Sequence, residues 1–259
     1  MRLPLVSHEL PHVLAVDNDR YNDYMFILLH RYIEDPIYQR IVDDYDGFKI
    51  MDNSCFELGS AVSNKLIFEY FHIIKPDVFV LPDTLGDKEA TLTRSLEFLD
   101  EYPELAEYAM GVIQGNSIPE FISCYRKFVN VPGLAMIGIP FCFNWAFKAG
   151  ATPQEHAMCR VKLLNSLERV IERSMKHHLL GTWHAAEFVE YHNYDWVYSV
   201  DTSNPVAAGM ELTKYEPGFG VSDKPKIKFD EFVSSDVTSE QLDVIMYNID
   251  EFKRMVKRD

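Results

Sequence analysis

Short apolar runs alternate with longer amphipathic segments along the chain. The runs are rich in β-branched and aromatic residues and predict strands at 12–16, 48–51, 77–81, 109–113, 134–138, 178–181 and 196–200. An eighth strand cannot be identified from this pattern, and either residues 2–6 or part of 206–212 could form it. Strands that alternate with helices in this way are typical of βα units in a parallel sheet.

The segments between the runs have the apolar spacing of helices. Apolar residues share one face in 64–74, in 89–99 and in a final helix over 239–256. Ser117 opens the stretch SIPE, in which Pro119 comes early and Glu120 stands three residues on, a capping pattern that predicts a helix start. Residues 153–175 are predicted to form one long helix.

This alternation, in a chain of 259 residues, predicts a single (β/α)8 TIM-like barrel, with a doubly wound open sheet as the alternative. The length also fits two small domains, but we favour one domain over 1–259 because neither a low-complexity linker nor an internal repeat is evident. The stretch 215–228 is rich in Gly, Pro and Lys and predicts either an ordered loop insertion or a mobile flap.

Charge limits the partners that the protein can attract. The chain has 40 acidic and 25 basic residues, a formal net charge of −15, which opposes a non-specific coat on nucleic acid. A local basic face is still compatible with this balance, although ordinary solvated side chains would explain the same residues. The candidates are Lys224, Lys226 and Lys228 in SDKPKIKF, and Lys253, Arg254, Lys257 and Arg258 near the end of the chain.

No stretch of eighteen apolar residues and no signal-peptide pattern occurs, so we expect a cytoplasmic protein without a membrane partner. The four cysteines show no C-x-x-C spacing, and the nine histidines match no zinc pattern. We therefore expect no metal and no cofactor. Cys55 has no adjacent basic residue to form a thiolate, which makes a cysteine nucleophile the weaker hypothesis.

Polar residues stand where several predicted strands end. Because the carboxyl ends of barrel strands surround one mouth, these residues should line one cavity, with Phe56 and Phe141 as an aromatic wall. Any one of them could instead make an Asx turn or cap the next helix, so the prediction of an enzyme with a carboxylate-lined pocket rests on their coincidence. They are Asp52, Asp83, Gln114, the sequence Gly138-Ile139-Pro140, and Asp201.

Six stretches, in order, carry a resemblance to a known family: MDNSCFELG, VLPDTLGD, GVIQGNS, AMIGIPF, HLLGTW and YSVDTSNP. They resemble the successive active-site motifs of the tRNA-guanine transglycosylase superfamily, whose members insert 7-deazaguanines, such as queuine and archaeosine precursors, into tRNA or DNA. The resemblance covers about residues 48 to 210. It implies a TIM barrel that exchanges a base through a covalent glycosyl-enzyme.

The resemblance also implies two catalytic carboxylates. Asp201 stands at the position of the nucleophile that attacks the sugar C1′, and Pro205 reproduces a downstream proline of the family. Asp52 stands at the position of the acid/base that protonates the departing guanine and later deprotonates the incoming base. Apolar surroundings and a neighbouring acid would raise the pKa of such a carboxyl.

The remaining carried-over residues would form the polar edge of a guanine-shaped slot. Asp83 would accept hydrogen bonds from the amino and ring N–H groups of the base, and Gln114 would meet its carbonyl edge. Asn53 would bind the base or the sugar. Backbone groups near Gly138 and Ile139 would complete the rim.

Phe56 on one side and Leu180, which precedes Gly181, on the other would sandwich the flat faces of the base. Unpaired donors and acceptors in such a slot cost ~1–3 kcal/mol each, so we expect pyrimidines to be rejected.

The chain departs from the family at three places. Ser54 and Cys55 replace two glycines, which makes the loop after Asp52 bulkier, and Asn53 replaces the commoner serine. No cysteine lies beyond Cys159, so the zinc subdomain that helps to seat tRNA is absent. This absence favours DNA over tRNA as the substrate, as in the branch often encoded by viruses and mobile elements.

Alternatives stay open at this stage. The protein could be a tRNA-guanine transglycosylase, a hydrolase that releases a (deaza)guanine base from a nucleoside or nucleotide, or a silent barrel that binds a free deazaguanine. The expected partners are DNA or tRNA and a free 7-deazaguanine base. The sequence leaves open whether the barrel forms a homodimer or works with an accessory nucleic-acid-binding protein.

Overall fold

The computed structural model describes residues 4–141, 152–182 and 184–257. In these ranges the chain forms one all-parallel sheet in the order β1-β8-β7-β6-β5-β4-β3-β2, which curls into a nearly closed barrel surrounded by helices. The predicted (β/α)8 TIM-like barrel is therefore confirmed over the open sheet. The strands are β1 (Leu5–His8), β2 (Met25–Leu28), β3 (Lys49–Asp52), β4 (Val78–Val80), β5 (Ala109–Val112), β6 (Met136–Pro140), β7 (Lys176–Leu180) and β8 (Val197–Thr202).

The two ends of the sheet, β1 and β2, are held together by the residues that precede β2. Asp23 N donates to Val6 O at 2.8 Å, and Val6 N donates to Asp23 Oδ2 at 2.9 Å. The side chain of Asn22 likewise bonds both backbone groups of His8, at 2.7 and 2.9 Å. These bonds satisfy backbone groups that an edge strand would otherwise leave unpaired.

The helices surround the sheet and fill the connections between strands. They are α1 (His12–Ala15), α2 (Asn18–Tyr21), α3 (Leu29–Glu34), α4 (Pro36–Asp43), α5 (Cys55–Leu58), α6 (Asn64–Ile74), α7 (Lys88–Glu101), α8 (Ile118–Val129), α9 (Pro153–Leu167), α10 (Asn204–Met210), α11 (Phe229–Phe232) and α12 (Ser239–Val256). Two 3-10 helices cover Pro103–Tyr108 and Ala185–Asn193. None of these helices combines the length and apolar character needed to cross a lipid bilayer.

Most predicted helices are confirmed, and one is too long. The predictions at 64–74 and 239–256 coincide with α6 and α12, and Ser117 caps α8 by accepting a hydrogen bond from Glu120 N. The predicted helix over 153–175 is wrong beyond Leu167, where α9 ends. The chain needs the following residues to turn back into β7, and Arg173 holds that turn through ion pairs with Glu168 and Asp195.

At the start of the chain, one strand prediction is wrong and one strand was not predicted. Residues 12–16 do not form a strand, because α1 begins directly after Pro11. The strand β2 was missed because its apolar residues continue without a break into α3, so periodicity alone does not divide the run. The eighth strand that the pattern left unidentified is β1, which overlaps the 2–6 option, whereas most of 206–212 belongs to α10. Residues 1–3, Cys142 and Arg258 lie outside the described residues.

Alternate side chains of the strands point to two apolar layers. One layer lies between the sheet and the helices, and the other fills the barrel interior. Because the interior is filled, the barrel is a packed core, and open space is found where the strands end. The buried residues of the interior are Tyr24, Phe26, Leu28, Ile50, Val78, Val80, Met110, Val112 and Met136.

Candidate active site

A cavity of about 520 Å³ lies at the carboxyl ends of the strands, a size ordinary for a small-molecule site. Eight predicted site residues line it: Asp52, Asn53, Phe56, Asp83, Gln114, Leu180, Gly181 and Asp201. Gly138 and Ile139 do not, since the Gly138 carbonyl accepts from Ile113 N and the Ile139 carbonyl accepts from Arg160. Pro140, the next residue of β6, reaches the cavity in their place.

Asp201, near the end of β8, is held in a fixed orientation. Its Oδ1 accepts hydrogen bonds from Gly181 N at 3.1 Å and from His178 Nε2 at 2.9 Å. The Nδ1 of His178 lies 2.8 Å from Ser199 Oγ. When Asp201 is ionised and His178 is neutral, Nε2 donates to the carboxylate and Nδ1 accepts a hydrogen bond from the Ser199 hydroxyl. The carboxylate is thus oriented from below by a buried histidine.

The predicted strand over 178–181 contains His178, but this role of the residue was not predicted from the sequence. His178 and Leu180 lie two residues apart on β7, so both point into the barrel. His178 pairs with Ser199 in the register of β7 and β8, and Asp201 follows Ser199 by two residues on the same face. The sequence shows only that residues two apart in a strand share a face, as His178 does with Leu180 and Asp201 does with Ser199. It predicts the contact between His178 and Asp201 only when the pairing register of the two strands is known.

Asp52, the last residue of β3, is half-buried in the cavity wall. Its Oδ2 accepts a hydrogen bond from Ser54 N at 2.6 Å. Ser54 adopts a left-handed backbone conformation with φ of 59°. His30 holds it there, because His30 N donates to Ser54 Oγ and His30 Nδ1 is hydrogen-bonded to the same oxygen at 2.9 Å. Burial raises the pKa of Asp52 well above its ordinary value, and the nearby Glu57, Asp83 and Asp201 raise it further. The protonated form that a general acid needs is therefore favoured.

Asp83 lies at the centre of a network of amide groups. Asn53 Nδ2 donates to Asp83 Oδ1 at 2.9 Å, and Gln114 Nε2 donates to Asp83 Oδ2 at 2.8 Å. Gln114 Oε1 accepts from Gly86 N at 3.0 Å, which fixes the orientation of its amide. Burial raises the pKa of Asp83, and the amide hydrogen bonds oppose this shift. The three side chains predicted to hold the edge of a base thus form one ordered floor.

The predicted aromatic face is at the mouth of the cavity. The Phe56 side chain is 52% exposed, and its ring lies 5.2 Å from that of Phe141 at an angle of 60°. Gly181 has φ of 58°, and a Cβ added there would lie 2.6 Å from the Phe141 ring. The close approach of Phe141 therefore requires glycine at 181, next to the backbone N–H that binds Asp201.

Three further carboxylates, Glu9, Glu57 and Asp230, line the cavity and were missed as site residues. Glu9 directly follows β1. Asp52 was identified because it follows a predicted strand, and Glu9 would have been identified in the same way if β1 had been predicted. Burial raises the pKa of Glu9 well above its ordinary value, with Asp201 and Glu57 adding to the shift. Desolvation at the cavity lining also raises the pKa of the Glu57 carboxyl to about 7, with contributions from Asp201 and Asp230, although the residue as a whole is exposed.

The raised pKa of Glu57 predicts a pH-dependent contribution to stability. The folded protein holds this proton up to about pH 7, whereas the unfolded chain releases it near 4.5. The stabilisation is therefore complete below pH 4.5 and is lost as the pH rises through 7. In urea unfolding, we expect Glu57→Gln to gain stability relative to the wild type between pH 5 and pH 8. Glu69→Gln, an exposed control on α6, should not, and a pH-independent difference for Glu57→Gln would contradict the assignment.

The cysteine at this site is held in its thiol form. Burial and the neighbouring Asp83 raise the pKa of the Cys55 thiol to about 12, so the thiol stays protonated. Within the described ranges, His, Cys, Asp and Glu side chains form no group of three or more that could hold a metal ion.

A search of protein-family models found no match to the chain, and a search of curated proteins found none either. The family resemblance therefore stays a prediction that rests on the six quoted stretches.

Proposed function

We propose that this protein is a nucleic-acid guanine transglycosylase that exchanges guanine for a 7-deazaguanine base, with DNA favoured over tRNA as the substrate. The observation that carries the proposal is the shared cavity of two carboxylates from distant strands, Asp52 on β3 and Asp201 on β8, together with the amide-bound Asp83. Paired carboxylates around a glycosidic bond are the groups that this chemistry requires.

In the first half-reaction, an Asp201 carboxylate oxygen attacks C1′ of the target nucleotide. The C1′–N9 bond breaks, its electron pair goes to N9, and protonated Asp52 supplies the proton that lets guanine leave as a neutral base. The raised pKa of Asp52 suits this step, because the acid must hold its proton near neutral pH. The hydrogen bonds from His178 and Gly181 hold the attacking carboxylate in place.

The second half-reaction reverses these roles with a different base. Ionised Asp52 removes the N9 proton of the incoming deazaguanine, N9 attacks C1′, and the ester to Asp201 breaks to regenerate the free carboxylate. Two displacements at one carbon retain the configuration of the sugar. During both halves, Asp83 and Gln114 would bind the polar edge of the base, which a guanine and a 7-deazaguanine share.

Hydrolysis is the second candidate, and the additional carboxylates favour it. Glu57 has a pKa of about 7 and lines the same cavity, so its ionised form could activate a water molecule against the ester at Asp201. The products would then be a free base and an abasic sugar. A tRNA substrate for the exchange reaction is the other alternative, against which the absence of cysteines beyond Cys159 counts.

The decisive experiment identifies the reaction and the polymer together. DNA and tRNA are each incubated with the protein and candidate 7-deazaguanines, then digested to nucleosides and analysed by mass spectrometry. We expect a deazaguanine nucleoside from DNA. A modified nucleoside from tRNA alone would transfer the proposal to tRNA, and free guanine without incorporation would indicate the hydrolase. Binding of a free base by calorimetry with no turnover would replace both with a silent binding barrel.

A further inference from the structure

One edge of the cavity mouth is basic, although the chain as a whole is strongly acidic. Residues 224–228, which we call the lysine segment, have the sequence Lys-Pro-Lys-Ile-Lys, and all five line the cavity. The side chains alternate, so that Lys224, Lys226 and Lys228 are exposed while Pro225 and Ile227 are half-buried. The segment therefore presents three positive charges outward at the rim.

The lysine segment is anchored at both ends, which favours the predicted ordered insertion over a mobile flap. Glu211 Oε1 accepts hydrogen bonds from Lys226 N at 2.7 Å and from Ile227 N at 2.8 Å. Just beyond the segment, Arg31 Nε donates to Asp230 Oδ1 at 2.7 Å. At its other end, Lys224 Nζ lies 5.6 Å from the centre of the Phe141 ring. These contacts fix the lysines beside the aromatic mouth.

The basic residues at the end of the chain differ from the lysine segment. Lys257 pairs with Asp23 at 2.6 Å, and Arg254 pairs with Glu251 at 2.6 Å. Lys226 and Lys228, by contrast, form no ion pair with a carboxylate in the described part of the chain. Lys226 and Lys228 are thus exposed charges of the lysine segment that can bind a partner.

The cavity has acidic groups inside and lysines at its edge. This distribution matches a nucleotide within a strand, whose base is uncharged and whose flanking phosphates are negative. The cavity is lined by the carboxyl groups of Glu9, Asp52, Asp83 and Asp201, and those that are ionised would repel a phosphate. An uncharged base can enter among them, whereas the phosphates on either side must stay outside. The lysine segment lies at that outer edge and offers the opposite charge.

We propose that the lysine segment binds the phosphates that flank the target nucleotide of a nucleic-acid strand while the base of that nucleotide enters the cavity. The identity of the base rests on the proposed function, but the phosphate contact does not. A base must leave its stack to reach Asp201 and Asp83 inside the cavity, so the partner is a single strand or a strand with one nucleotide flipped out. Because lysines that bind phosphates release counterions, this local attraction should weaken steeply as the salt concentration rises.

The test measures binding without requiring catalysis. A fluorescent single-stranded oligonucleotide that contains guanine is titrated with the wild type, with K224Q/K226Q/K228Q, and with the control K75Q/K127Q/K162Q, which removes three exposed lysines outside the cavity. Each phosphate contact on a single strand adds about 0.7 to the salt slope of log K, so we expect the first variant to lose about 2 and to bind about tenfold more weakly. K224R/K226R/K228R should restore both.

Parallel titrations with duplex DNA, RNA and guanosine monophosphate separate the sources of phosphate. Tighter binding of strands than of the mononucleotide supports a polymer partner. Equal affinity and salt slope for the lysine-segment and control variants would overturn the proposal, as would wild-type protein that binds no oligonucleotide at low salt. Lysine-dependent binding without base exchange would refute the proposed function alone, and exchange on a free nucleoside without strand binding would refute this inference alone.

Discussion

Replacing Asp201 with asparagine is expected to lower the rate of guanine exchange on the order of a thousandfold or more. An amide oxygen is too weak a nucleophile to attack C1′, and the remaining groups of the cavity then have no covalent intermediate to act on. The substitution keeps the size of the side chain, and Gly181 N can still donate to its oxygen. Incorporation of a labelled deazaguanine into an oligonucleotide measures the rate.

The control for this variant is Asp243→Asn, which removes the same charge from an exposed position on α12. It should exchange bases at the wild-type rate. Oligonucleotide binding by Asp201→Asn should persist, because the lysine segment is intact. Exchange within tenfold of the wild type in Asp201→Asn would remove this residue as the nucleophile and leave Glu9 and Glu57 as the carboxylates to test next.

Replacing Arg160 with methionine is expected to lower the free energy of unfolding by about 3–5 kcal/mol. Arg160 is 1% exposed, and its Nη2 donates to Glu187 Oε1 at 2.7 Å. It also donates to the carbonyl oxygens of Leu180 at 2.8 Å and Gly181 at 2.7 Å. The variant would leave the buried Glu187 carboxylate without its cationic partner, although Thr182 and Tyr191 still donate to it. The carbonyl groups of Ile139, Leu180 and Gly181 would also lose this donor. Urea unfolding measures the loss, and the melting temperature should fall by about 10 °C.

The ion pair between Arg160 and Glu187 also helps to position the candidate active site. Arg160 holds the backbone at Leu180 and Gly181, and Gly181 N binds Asp201, so the variant should slow exchange in the protein that remains folded.

Removing both charges in Arg160→Met/Glu187→Met should recover part of the lost stability, since no unpaired buried charge then remains. Arg126→Met, an exposed control on α8, should unfold like the wild type. A loss below about 1 kcal/mol for Arg160→Met would contradict the importance of the pair.

The strands from β3 to β8 could be predicted because each is a short apolar run bounded by polar or turn residues. That boundary is missing at β2, where Leu28 ends the strand and Leu29 begins α3. It is blurred at α1, where one helical turn of apolar residues has the composition of a strand. The pattern of apolar and polar residues thus predicts strands and helices that are bounded by polar residues. Where one apolar run contains the end of a strand and the start of a helix, the boundary between them depends on tertiary contacts that the pattern does not show.

The same limit applies to the candidate site. Asp52, Asp83, Gln114 and Asp201 could be placed together because they follow strands that the pattern had already identified. His178 contacts Asp201 through the pairing register of β7 and β8, which the sequence does not contain in legible form. The lysine segment was recognised as basic, but its place at the cavity edge depends on anchors that are distant in sequence, such as Arg31 to Asp230.

The covalent intermediate offers the most direct test of the proposed chemistry. The wild type and Asp201→Asn are mixed with a guanine-containing oligonucleotide, quenched with acid at short times, and analysed by intact-protein and peptide mass spectrometry. We expect wild-type protein to gain the mass of the oligonucleotide less one guanine, on the peptide that contains Asp201, and Asp201→Asn to gain nothing. An adduct on Asp52, Glu9 or Glu57, or an equal adduct in both proteins, would contradict the assignment of Asp201 as the nucleophile.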